Sequence, residues 1–459
     1  MRRPSRRDAS ACGTPVHIDA ARSYTEQANS TPLAWHGRCI ERRTHQNSIA
    51  MDALNTLPLV ASGPGLTCLH GVRVLDFTTS VAGPYGTLLL ADLGAEVIKI
   101  EKRQGGDDSR SWGPPFLDGE SLWFLSMNRN KLSMTIDLTR SEGRRIAHDL
   151  VRRADVVVVN TTQRVQEKLE LDYATLKAIN PMLVHASVTG FGLHGERADL
   201  PCYDLIAEGY SGIMHLTGQA DGPPQKIGTP AADLLAGQDI AMAVLAALFE
   251  RQRTGAGKQI DISMVATSAR FMAPRIVPYL GSGESPMRSG GTDSVIAIYQ
   301  VFETADFPIT LGLGNDAIWH RFWAAVGKPE YGRASGFDTN AKRRDARERI
   351  VATIAALLAT QSRDHWLPLF AKHRIPAGPI NTIDQLVDDV PLRDDGMFFA
   401  ARGTVDRVPQ VGLGIRFDGG SAVYRSAPPA LGQDTERILR DHLSMSAVCI
   451  AGLIDAEIV

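Results

Sequence analysis

GVRVLDFTTSVAGPYGTLLLADLGAEVIKIE, running from Gly71 to Glu101, decides the fold. VRVLDF (Val72 to Phe77) is a short run of β-branched and large apolar residues, the pattern of a buried strand. GPYGTLLLADLG (Gly83 to Gly94) reads as a short helix ended by glycine, and EVIKIE (Glu96 to Glu101) as a second strand. Together they form a βαβ unit with a parallel pair. The loop TTSVAGPYG has neither the G-x-G-x-x-G spacing nor that of a P-loop, so no phosphate motif is assigned to it. Its backbone amides could still face an anion at the helix start.

The alternation continues outward from this unit. SEGRRIAHDLVRRA (Ser141 to Ala154) has a capping serine and helical apolar spacing, while DVVVVN (Asp155 to Asn160), LVHASVTGFG (Leu183 to Gly192) and KQIDISM (Lys258 to Met264) read as strands. Asp233 is placed to cap a helix through LLAGQDIAMAVLAALFERQR that stops at Gly255. Its apolar residues lie on more than one face, which predicts burial. A doubly wound α/β sheet follows. GSGESPMRSGGTD (Gly281 to Asp293) reads as a flexible crossing, and the segments beyond it predict a second, smaller domain. The expected boundaries are a disordered extension over 1–65, the first part of a large domain over 66–280, a small α+β domain with its linkers over 281–385, and a return segment over 386–459 that completes the large domain.

Composition limits the partners. The 459 residues carry 49 basic and 51 acidic side chains for a net charge of -2, which gives no footprint for nucleic acid or an anionic membrane. Cys12, Cys39, Cys68, Cys202 and Cys449 are odd in number and far apart, arguing against a disulfide framework or a zinc site and for a reducing cytoplasm. The longest apolar stretch, Ile240 to Phe249, is about half of what a membrane span needs. The first 50 residues hold eight arginines, no lysine and four acids, without apolar periodicity. They are expected to be an extension upstream of Met51, with an organelle transit peptide as the alternative.

TGQADGPPQKIG (Thr217 to Gly228) contains one acid, Asp221, ahead of a Gly-Pro-Pro turn. Taken alone, it is a bend in which Asp bonds its own backbone. In company it means more. GVRVLDFTTSVAGPYGTLLLADLGAEVIKIEKRQGGDDSR, MNRNKLSMTIDL (Met127 to Leu138), SVTGFG, TGQADGPPQKIG, ERQRTGAGKQIDISM, IPAGPINTI (Ile375 to Ile383) and APPALGQDT (Ala427 to Thr435) follow one another in an order that resembles the family III CoA-transferases, over about Gly71 to Leu439. The resemblance implies an interlocked ring-like homodimer of a large Rossmann-like domain and a smaller one. It also implies CoA transfer from an acyl-CoA to a free carboxylic acid, with CoA as co-substrate and no other cofactor or metal.

By resemblance, the acid of the TG-x-x-DGPP turn, Asp221, is the nucleophile. A carboxylate attacking a thioester gives a mixed anhydride and a thiolate, from which an aspartyl-CoA thioester forms. The resemblance also places Ser80, Val81 and Ala82 beside the pantetheine and nucleotide, Lys102 and Lys131 near the phosphates, and Asn160 and Lys168 along the CoA site. Where the family reads E-N-F-x-P-G, this chain reads VNTTQRVQEKL, and its tail reads LGQDT with Asp434. Two rivals stand beside this reading. An α-methylacyl-CoA racemase would use an aspartate at Asp233 and a histidine where Tyr203 sits, and a CoA-binding partner subunit would have lost activity. His185, His194 and His215 read as ordinary strand or loop histidines. Arg270, Arg275 and Arg288 are candidates to hold the second carboxylate of a dicarboxylic acceptor.

Overall fold

The computed structural model describes residues 54–403, 406–420 and 424–459. The Arg-rich segment 1–50 lies outside the described residues. Ordered structure begins before the expected boundary at 65: a short strand, β1 (Leu59–Val60), pairs with Ala400 and Ala401, and Gly63 donates its N–H to Tyr424.

Six strands form the central sheet: β2 (Arg73–Asp76), β3 (Glu96–Glu101), β4 (Lys131–Thr135), β5 (Val156–Val159), β6 (Val184–Thr189) and β7 (Lys258–Ser263). All are parallel, in the order β4-β3-β2-β5-β6-β7. The chain therefore winds outward twice from β2, and the direction reverses between β2 and β5. In such sheets a crevice opens at the carboxyl ends of the strands where the order reverses.

Period-two alternation puts successive strand residues on opposite faces. Val74, Val97 and Val156 join one apolar cluster with Leu90 of α1 (Ala82–Asp92) and Ile240 of a long helix. Leu75, Ile98 and Val157 join another with Ile146 and Leu150 of α2 (Ser141–Val151). Arg140 stands at the N-cap of α2 and no side chain caps it, so Ser141 is not the expected cap. After β5 come the short helix α3 (Gln163–Lys168) and, beyond β6, α4 (Asp204–Tyr210).

The long helix, α5 (Ala231–Thr254), closes at Gly255 in the left-handed region, as expected. Its N-cap is Pro230, and Asp233 sits inside the first turn without capping it. Met242, Leu245 and Phe249 remain exposed, so burial is one-sided rather than complete. By length and composition α5 is also long and apolar enough to cross a bilayer, although half of that stretch is buried within the protein. It packs against α1 at a glycine crossing. A Cβ on Gly237 would come within 2.8 Å of the Ala82 carbonyl oxygen, and one on Gly86 within 2.9 Å of the Gly237 carbonyl.

Next comes α6 (Ala273–Ser282), none of whose residues is buried. β8 (Tyr299–Phe302), β9 (Ile309–Gly312) and β10 (Ala377–Pro379) form a separate antiparallel sheet. An aromatic-rich cluster around Trp319, Phe322, Trp323 and Phe370 accompanies it, the first three carried by α7 (Asp316–Ala325). The chain returns through β11 (Phe398–Ala401) and β12 (Val408–Val411), then α8 (Thr435–Leu443) and α9 (Ala447–Asp455). Ile438, Leu439 and Ile450 of these last helices enter the same cluster as Leu75 and Val157. Asp434 anchors this return: its carboxylate accepts the Ser133 N–H at 3.0 Å, while its own N–H donates to the Ser133 carbonyl.

Candidate active site

The crevice at the strand-order reversal is built by side chains that capture the backbone of the β2–α1 loop. Thr78 donates its N–H to the Asp76 carboxylate at 3.0 Å. Thr79 is held on both sides by Asn160, which accepts its N–H at 3.2 Å and donates to its carbonyl at 2.8 Å. Ser80 donates to Asp107 at 3.0 Å and adopts a φ of 70°. These three amides are engaged within the protein, which narrows the place where the loop could face an anion to the helix start itself. What remains is the start of α1, where no side chain caps Ala82.

Two cavities meet at this loop, sharing Thr79 and Thr161. The smaller, about 360 Å³, is lined by Ser80, Ala82, Asn160, Cys202, Tyr203 and Asp233. The larger, about 620 Å³, is lined by Lys102, Arg103, Asp107, Thr139 and Arg140 among others. Asp233 lies one helical turn before Gly237, on the same face of α5. The close approach of Gly237 to Ala82 thus brings the Asp233 carboxyl into the cavity beside the start of α1.

Asp233 has unusual surroundings. Burial first, then the charge of Asp204, pushes its carboxyl up to about 7. Among the described residues, no hydrogen-bond donor reaches that carboxyl. Asp204 in turn accepts the N–H groups of Ala232 at 2.8 Å and Asp233 at 3.3 Å, so it caps α5 from outside that helix. One turn further along α4, the fully buried Glu208 accepts the Ile227 N–H at 3.0 Å, and burial raises its carboxyl as well.

Asp221 lies elsewhere. It is an exposed residue in the tight turn closed by Gly222 N–H to the Gln219 carbonyl, and it lines neither cavity. The bend reading of DGPP is thus the one its surroundings support, and the carboxyls lining the smaller cavity are Asp108, which is paired with Lys102, and Asp233. Lys131 is a second correction. Its ammonium is fully buried and bonded to Asp76, Pro84 O, Thr87 and Asn128 at 2.8 to 3.1 Å, leaving no proton for a phosphate. Burial lowers it to about 8 despite Asp76.

The other expected residues divide. Ser80, Ala82 and Asn160 line the smaller cavity and Lys102 the larger, where its ammonium meets Asp108 at 2.7 Å. Val81 is buried behind them, and Lys168, exposed at the end of α3, lines neither cavity. His185 is buried with Nε2 2.8 Å from the Leu171 carbonyl. Arg270 pairs with Asp239 and Arg275 with Asp293, whereas Arg288 bonds only the His215 carbonyl and meets no carboxylate among the described residues.

Comparisons with known proteins agree with this architecture. The family model for CoA-transferase family III matches residues 69–435. The chain is 34% identical over 392 residues to the succinyl-CoA:glutarate CoA-transferase of Mus musculus, covering 85% of this chain and 90% of that one. It is 35% identical over 382 residues to the succinate–glutarate CoA-transferase of Agrobacterium fabrum, covering 81% and 95%. A crystal structure of a CaiB/BaiF family protein from Brucella suis superposes with a TM-score of 0.72 at 36% identity, covering 82% of this chain and 99% of that one. The chain belongs to CoA-transferase family III. It is an enzyme of the CoA-transferase type, which moves CoA to a carboxylic acid.

Proposed function

We propose that transfer runs through Asp233, with the smaller cavity taking the thioester end of CoA and the larger its nucleotide end. The carrying observation is that the Asp233 carboxyl lines the crevice at the strand-order reversal, beside an uncapped helix start, with no donor on it among the described residues. Its ionised oxygen attacks the donor thioester carbonyl, forming a mixed anhydride and releasing CoA thiolate. The thiolate attacks the aspartyl carbon, giving an aspartyl-CoA thioester and the free donor acid. The acceptor carboxylate then attacks that thioester, and the released thiolate takes the acceptor acyl group, restoring the Asp233 carboxylate. The positive end of α1 favours the oxyanion at each step. Lys102, Arg103 and Arg140 supply cations for phosphates at the other end.

The acceptor class we infer is a dicarboxylic acid, because the similar transferases of mouse and Agrobacterium fabrum act on succinate and glutarate. Arg288 bonds the His215 carbonyl beside the Asp221 turn and lines neither cavity, so it is not assigned to the distal carboxylate. A racemase would need a second base in the same cavity, and Tyr203 offers a phenol there instead of an imidazole. A two-domain, interlocked homodimer fits the separate aromatic cluster and the unburied α6, with Val277 and Leu280 open to solvent.

Asp233→Asn should cut transfer between succinyl-CoA and glutarate by several orders of magnitude, on the order of 5 kcal/mol of transition-state stabilisation. Asp221→Asn should leave it within about threefold of wild type. Hydroxylamine added during turnover should label the peptide carrying Asp233. A label on Asp221, or an active Asp233→Asn enzyme, rejects the assignment.

A further inference from the structure

Ser80 holds a left-handed conformation that costs a residue with a side chain roughly 1–2 kcal/mol. Such a conformation persists only where its surroundings over-determine it. Here the surroundings are a buried ionic cluster. One oxygen of Asp107 accepts the N–H groups of Ser80 at 3.0 Å and Ser109 at 2.9 Å, and the Ser109 hydroxyl at 2.8 Å. Its other oxygen meets Lys99 Nζ at 2.8 Å, both side chains being fully buried. Lys99 also donates to the Thr78 carbonyl at 2.8 Å, so the pair grips the β2–α1 loop at two points. Glu101 fixes the cluster from behind, accepting the Asp107 N–H at 2.9 Å while Arg110 binds its carboxylate through two nitrogens.

Asp107 lines the larger cavity, and the residue it holds, Ser80, lines the smaller. We propose that Asp107 is a positioning residue for CoA transfer: by holding the Ser80 amide in its left-handed turn, it fixes the wall of the cavity that contains Asp233. This rests on the assignment of the two cavities given above. Its loss slows the reacting end without weakening the nucleotide end, because Lys102, Arg103 and Arg140 stay in place and a carboxylate that repels phosphate leaves the wall of the larger cavity.

The test uses the full chain with succinyl-CoA and glutarate, and adenosine 3′,5′-bisphosphate as a probe of the nucleotide end. Asp107→Ala should lower kcat about 30-fold or more while the bisphosphate binds at least as tightly as to wild type. Glycine adopts positive φ freely, so adding Ser80→Gly to Asp107→Ala should restore kcat about fivefold or more. Asp107→Asn keeps the accepting oxygen and should hold kcat within about tenfold of wild type, although it loses as much thermal stability as the alanine variant by stranding Lys99. Lys99→Met/Asp107→Ala removes the stranded charge and serves as a second background should the single variant fold poorly, with the same relief by Ser80→Gly expected. Wild-type kcat without the Asp107 carboxylate, equal losses in Asn and Ala, or no relief by glycine overturns the proposal. An active Asp233→Asn enzyme in the same assay would instead overturn the assignment of the cavity.

Discussion

At neutral pH a carboxyl held at about 7 is only half ionised, and a nucleophile must be ionised to react. The kcat/KM of CoA transfer should therefore rise with pH and level off above about 7, as read from initial rates between pH 5 and 9. Stability runs the other way. The folded-state value lies above that of an unfolded aspartate, 3.8 against about 7, so the native protein binds the proton more tightly. The wild type thus carries no penalty below about 4, gains one as pH rises, and bears it fully above about 7. Asp233→Asn should melt increasingly above wild type across that window. The limit is about 4 kcal/mol at alkaline pH, and about half of that where solvent reaches the cavity. A constant difference in melting temperature from pH 4 to 8 would contradict this. Nothing in the sequence around Asp233 announces such a value. Its two causes, burial and Asp204, come from residues that only the fold brings together, whereas DGPP at Asp221 is conspicuous for reasons of turn chemistry alone.

The elements were largely legible because their patterns are local. The apolar runs of β2, β3, β5 and β6 follow from period and length, and Gly255 marks the end of α5. The site was less so, since it depends on contacts between elements. Lys131 sits in a strand whose charged end turns inward to Asp76, which no spacing rule shows. Asp233 looked like a cap because the true cap, Asp204, comes from another helix. The signal that was there to use is Gly237, four residues after Asp233 and so on its face of the helix. Gly237→Ala puts a methyl group 2.8 Å from the Ala82 carbonyl and must push α5 from α1. The expected cost is about 1–3 kcal/mol in stability by urea unfolding, with kcat falling by tenfold or more because Asp233 moves with the helix. Full activity in a destabilised Gly237→Ala enzyme would show that the crossing only packs the domain.

At the scale of the whole molecule, large apolar side chains stand open to solvent on successive helices between Ala231 and Ser282. Met242 and Phe249 of α5, Phe271, and Val277 and Leu280 of α6 are all exposed. A second copy of the chain would cover them, and light scattering should find a dimer whose mass does not change with dilution. Replacing Val277 and Leu280 by lysine should then yield monomer or aggregate, while a monomeric wild type would dispose of the idea. The return of α8 and α9 to the central sheet bears on how the protein is made. Leu75, Ile98 and Val157 share their cluster with Ile438, Leu439 and Ile450 as well as with Ile146 and Leu150 of α2, so one face of the sheet has only part of its cover until α8 and α9 have left the ribosome. At about 5–20 residues per second, that face waits tens of seconds after β5 emerges. Meanwhile the aromatic cluster around Trp319, drawn from residues 297–375, has all its members and can close first. Nascent chains stalled near residue 425 should accordingly bury their tryptophans but stay sensitive to protease within β2 to β5, and a protected sheet at that length would refute this order of assembly.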